Sequence, residues 1–112
     1  MKISDAVQAL GALAQESRLA VYRLLVQRGP DGFNPGELSE RLKIPASTLS
    51  FHLKELQRVD LIVAERRGRF LHYSANFTRM RGLVDFLTLH CCSLSDTACD
   101  SECKPLPKRK HA

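Results

Sequence analysis

The sequence predicts a mainly α-helical chain carrying one small β-hairpin, in the order α-α-α-α-β-β-α. Two observations lead there. Apolar residues recur at helical spacing before residue 58 and after residue 78, whereas residues 62–74 switch to β-branched and aromatic residues around Gly68. Ile44-Pro45 separates two short helical stretches, and a residue before proline avoids the helical region while proline suits a first turn.

The elements follow in order. Ser4 to Gln27 carries Val7, Leu10, Leu13, Leu19, Val21, Leu24 and Leu25 near the helical period. Gln15-Glu16-Ser17 breaks it into two helices, with Ser17 as the expected N-cap of the second. Gly29-Pro30-Asp31-Gly32 ends that helix and opens a loop through Asn34. Pro35 to Leu42 is a short helix with Leu38 and Leu42 inward. Ala46 to Arg58 is another, with Leu49, Leu53 and Leu56 on one face, so this pair has the form of a helix-turn-helix. Ile62 to Glu65 and Phe70 to Ser74 are the strands, joined by the basic turn Arg66-Arg67-Gly68-Arg69. Thr78 to Leu89 closes the fold with the stripe Met80, Leu83, Val84 and Leu87.

Past Cys92 the apolar period stops, and Lys104-Pro105-Leu106-Pro107-Lys108-Arg109-Lys110 reads as a disordered basic tail. The expected division is therefore a folded domain over 1–92 and a cysteine-containing, partly disordered basic tail over 93–112.

Composition narrows the function. A chain of 112 residues holds one modest core, short for an enzyme with a deep cleft. Seventeen Lys+Arg against twelve Asp+Glu give +5, which suits a polyanionic partner. Asp5 and the absence of a long apolar run argue against a secretory signal or a membrane span. The expected setting is a reducing cytoplasm, where thiols stay reduced. No organic cofactor is expected.

On the fourth helix, with the leucines inward, Ser47, Thr48, Phe51 and Glu55 point outward, and Ser50, His52 and Lys54 lie toward the flanks. Small hydroxyls approach base edges, Phe51 suits a thymine methyl, and Lys54 suits a phosphate. The same hydroxyls also serve as helix caps, and a histidine at a core margin often only packs. Arg66, Arg67 and Arg69 in the hairpin add a cationic group able to straddle phosphates or enter a minor groove. Double-stranded DNA is the partner these residues fit.

All four cysteines, Cys91, Cys92, Cys99 and Cys103, sit together after ninety residues with none. Clustered thiolates invite a soft metal or metalloid, a disulfide or a redox switch.

These features resemble the ArsR/SmtB family of metal-responsive winged helix-turn-helix repressors. The resemblance covers residues 4–92 and rests on Ser17-Arg18-Leu19, Gly36-Glu37-Leu38, the string Ser47-Thr48-Leu49-Ser50-Phe51-His52-Leu53, and Gly68-Arg69 with Tyr73. The stretch Glu37 to Leu42 lacks the cysteine pair that several arsenic-responsive members carry there. The last helix also lacks the histidine pattern of zinc-sensing members. What remains resembles an arsenic-responsive subgroup with an adjacent cysteine pair ending the last helix and a third cysteine downstream.

The resemblance implies a homodimeric repressor joined through its first and last helices. It would be released from operator DNA when trivalent arsenic (arsenite, with antimonite or methylarsenite as alternatives) binds the thiolates. Cys91, Cys92 and Cys99 are the expected ligands, Cys99 because its shorter loop closes at lower entropy. Cys103 stays open as the alternative third ligand. Adjacent residues on a helix point about 100° apart, so the pair converges most easily where the helix unwinds. A zinc- or redox-responsive regulator using the same cysteines is the alternative.

Overall fold

The computed structural model describes residues 1–95, so Cys99, Cys103 and the basic tail lie outside the described residues. Its elements are α1 (Ile3–Leu13), α2 (Glu16–Arg28), α3 (Pro35–Leu42), α4 (Ala46–Arg58), β1 (Ile62–Arg67), β2 (Phe70–Ala75) and α5 (Phe77–Thr88). This is the expected order, a winged helix-turn-helix.

Local chemistry sets the boundaries. The Asp5 carboxylate accepts from the Lys2 amide at 3.2 Å at the start of α1. The N-cap of α2 is Gln15, not the expected Ser17: its Oε1 accepts from the Arg18 amide at 2.8 Å, so the break falls two residues early. At α3, Asn34 Oδ1 accepts from the Glu37 amide at 2.8 Å and Glu37 Oε1 accepts from the Asn34 amide at 3.0 Å. That reciprocal pair, with Pro35 at the first helical position, fixes where α3 begins. Lys43 then turns left-handed (φ 54°) and ends it.

The core is one cluster. Leu25, Leu38, Leu49, Leu56, Leu61, Ile62 and Val21 are its largest fully buried side chains. The buried face of α1 is Ala6, Ala9 and Ala12, small enough for close packing. Val7 and Leu10 of that helix consequently face outward.

β1 and β2 pair antiparallel from Ile62↔Ala75 to Arg67↔Phe70, leaving Gly68-Arg69 as a two-residue turn. Arg66 and Arg67, expected in the turn, belong to β1, because Gly68 (φ 63°) lets the chain reverse in fewer residues. The α2–α3 loop is tied to this hairpin: the Phe33 amide donates to the Tyr73 carbonyl at 2.9 Å, and the Tyr73 amide donates to the Phe33 carbonyl at 2.8 Å. Gly32 (φ 67°) makes that approach possible, since a Cβ there would collide with the Tyr73 backbone.

Among the described residues no helix is long and apolar enough to cross a membrane.

Candidate nucleic-acid interface and thiol pair

The α3–α4 turn ends at Pro45, and α4 starts without a side-chain cap. Ser47 and Thr48 stand in its first turn, exposed. Their hydroxyls and that of Ser50 enter no side-chain hydrogen bond among the described residues, so capping does not account for them. Phe51 is 58% exposed, and Lys54 is exposed one residue before Glu55. Glu55 is held by Arg58 at 3.1 Å and so offers less negative charge to an approaching phosphate. The outer face of α4 therefore presents hydroxyls at an uncapped helix N-terminus, whose dipole favours anions, with an aromatic ring and a lysine further along the helix.

His52 does not belong to that face. It is 6% exposed, packed inward beside Leu53, with no hydrogen-bond partner for Nδ1. Its position three residues after Leu49 puts it on the buried stripe rather than at the flank. Burial, then the positive charge of Arg18, pushes its pKa below the ordinary histidine value. It acts as a neutral packing residue under the recognition surface.

In the wing, Arg66 and Arg69 are exposed. Arg67 is partly committed: Nη1 donates to the Asp31 carbonyl at 3.2 Å, and Nη2 pairs with Glu65 at 3.3 Å. Phe70, directly after the turn, is 59% exposed. In the sequence it is marked only as a strand residue. An aromatic flanking an arginine turn is the signal that could have marked it.

The thiol pair lies beyond the last helix rather than at its end. α5 stops at Thr88, and a run of turns follows, with the Cys91 amide donating to the Thr88 carbonyl at 3.0 Å. His90 (φ 58°) and Cys92 (φ 63°) are both left-handed, a conformation costing a side-chain-bearing residue about 1 kcal/mol or more. This backbone brings the two Sγ atoms to 3.6 Å. A disulfide would be close to 2.05 Å. Two thiolates on one tetrahedral zinc at about 2.3 Å stand about 3.8 Å apart, and a pyramidal centre with narrower angles draws them closer. At 3.6 Å the two sulfurs are in contact, longer than a disulfide and near the spacing of two thiolates on one centre. Among the described residues no third His, Cys, Asp or Glu joins it.

Comparison with known proteins bears on the family and the fold. A helix-turn-helix domain family matches residues 13–65. The transcriptional activator HlyU of Vibrio cholerae is 32% identical over 89 residues, covering 79% of this chain and 80% of that protein. The arsenical resistance operon repressor of Bacillus subtilis is 35% identical over 77 residues, covering 69% of this chain and 71% of that protein. An ArsR-like transcriptional regulator from Rhodococcus sp. RHA1 superposes with a TM-score of 0.69 over 76% of this chain and 77% of that one; at 22% identity this speaks to the fold. These relatives are regulators of transcription, not enzymes. The chain belongs to the ArsR/SmtB family of winged helix-turn-helix transcriptional regulators.

Proposed function

We propose that this regulator is an arsenic(III)-responsive repressor that binds operator DNA as a homodimer and leaves it when its C-terminal thiolates capture the metalloid. The observation that carries the reading is the 3.6 Å Cys91–Cys92 contact in a strained turn next to α5. Trivalent arsenic forms three bonds to thiolates in a pyramid, and the close pair suits two of the three. Cys99 is the proposed third, with Cys103 as its alternative.

Dimerisation is supported by the apolar residues that α1 and α5 leave uncovered. Ile3, Val7 and Leu10 on α1, and Val84 and Leu87 on α5, are all exposed. A groove of about 420 Å³, lined by Leu13, Leu19, Tyr22, Met80 and Val84, adjoins them. A second copy seated there would place two α4 helices in successive major grooves. Ser47, Thr48, Ser50 and Phe51 would then read bases, with Lys54, Arg66, Arg67 and Arg69 on phosphates.

The thiols adjoin the proposed dimer helix and lie far along the chain from α4 and the wing. Ligand capture would act by reshaping the end of α5 and so favouring a dimer that binds DNA poorly. A shift from almost fully bound to almost fully free needs roughly a 10⁴-fold preference for the released state. Several arsenic–sulfur bonds can supply that; one thiol cannot.

A gel shift with the duplex upstream of the chain's own gene tests this: the protein retards the duplex, and arsenite reverses the retardation. The close Sγ contact also suits a redox-responsive regulator. Release by peroxide but not by arsenite would select that second reading.

A further inference from the structure

Three arginines gather around the α2–α3 loop, two of which no sequence motif marked. Phe33, 4% exposed, is the centre. The Arg28 guanidinium, from the end of α2, sits 5.0 Å from its ring centroid, and that of Arg41, from the last turn of α3, sits 4.8 Å away. Both lie in the range where a cation is held by an aromatic face. Arg28 is fixed further, its Nε donating to the Gly32 carbonyl at 3.0 Å. From the wing, Arg67 reaches the Asp31 carbonyl of the same loop at 3.2 Å.

Like charges brought together repel, and they are commonly accompanied by carboxylates. Here they are not. The ion pairs among the described residues are Arg58–Glu55 and Arg67–Glu65, and neither Arg28 nor Arg41 takes part. Both arginines are exposed, so their outer N–H groups are open to a ligand. A guanidinium pre-oriented by stacking loses little entropy when it grips a phosphate through two N–H groups. Position selects the source of that phosphate. The cluster is joined to the wing by Arg67 and by the Phe33–Tyr73 bridge, and α3 passes directly into α4 across the turn.

We propose that Arg28 and Arg41, stacked on Phe33 and joined by Arg67, form a second anion site that takes DNA backbone phosphates flanking the segment read by α4. The site rests on the DNA-binding reading above and lengthens its footprint. It carries no base information, since it lies outside the recognition helix.

The test compares the full-length parent, R28Q/R41Q and R28K/R41K on two duplexes. One is the operator with flanking sequence, and the other is trimmed to the segment that the recognition helices span. Each phosphate contact contributes about 0.9 to the salt slope of log affinity. R28Q/R41Q should lower that slope by about two units on the long duplex and leave the trimmed duplex nearly unaffected. R28K/R41K, which keeps the charges, should keep the parent's salt slope on both. An unchanged slope on the long duplex, with the parent still binding operator, overturns the second site and leaves the DNA-binding reading standing. Equal losses on both duplexes in both variants would mean the stack only supports the fold, which also overturns it. Failure of the parent to bind any duplex would remove the reading on which the site rests.

Discussion

Cys91 and Cys92 hold their Sγ atoms 3.6 Å apart, and they do so three and four residues past the end of α5 rather than within it. On a regular helix the same neighbours diverge by about 100°. The left-handed residues His90 and Cys92 replace that divergence with convergence. The turn leaves Cys91 exposed and Cys92 half-buried, which is the placement the proposed thiol site requires.

The base-reading hypothesis predicts a split between two kinds of substitution. Thr48→Ala should cost operator affinity by about 1–3 kcal/mol while leaving random DNA unaffected. Arg66→Ala should weaken both and flatten the salt dependence by about one unit of slope. Titrations on operator and scrambled duplexes across a salt series measure both effects. Equal loss on both DNAs from the Thr48 change would take it out of the base-reading set.

His52 predicts an acid-sensitive fold. Its folded pKa lies below the unfolded value of about 6.5, because burial and Arg18 disfavour the imidazolium. Above that unfolded value both states are neutral and stability is complete. As pH falls below it, the unfolded chain takes up the proton first, and stability declines until the folded pKa is reached. Urea unfolding at pH 7.5 and at mildly acidic pH should show this loss in the parent. His52→Gln should shrink the difference between the two pH values, and an identical difference would clear His52 of the role.

The proposed dimer predicts that a carboxylate on its apolar face separates the subunits. Val7→Glu or Leu87→Glu would bury an unpaired charge at the interface, at a cost of several kcal/mol. Sedimentation should show a dimeric parent and monomeric variants, with operator affinity falling by more than tenfold. A variant that stays dimeric at micromolar concentration would place the interface elsewhere.

Much of this was legible in the sequence, and the exceptions have physical causes. The leucine spacing of α4 and the Ile44-Pro45 turn gave the helix-turn-helix, since burial of one stripe decides a helix's orientation. His52 was misplaced because helical angles near the edge of a stripe do not separate flank from core. Ser17 was displaced as a cap because a glutamine two residues earlier reaches the Arg18 amide, a geometry that side-chain preferences rank low. The Arg28–Phe33–Arg41 stack joins elements through tertiary packing, which no local pattern encodes. For the thiols, the cluster was plain but its aim was not: convergence depends on two backbone angles past the helix.

The most direct measurement is arsenite titration of the operator complex, followed by fluorescence anisotropy, for the parent, Cys91→Ser and Cys92→Ser. The parent should release DNA as arsenite rises. Both variants should bind operator as the parent does and remain bound throughout the titration. In the same assay Cys99→Ser should also stay bound and Cys103→Ser should release; the reverse outcome would exchange the third ligand. Parent-like release from both Cys91→Ser and Cys92→Ser would contradict the account.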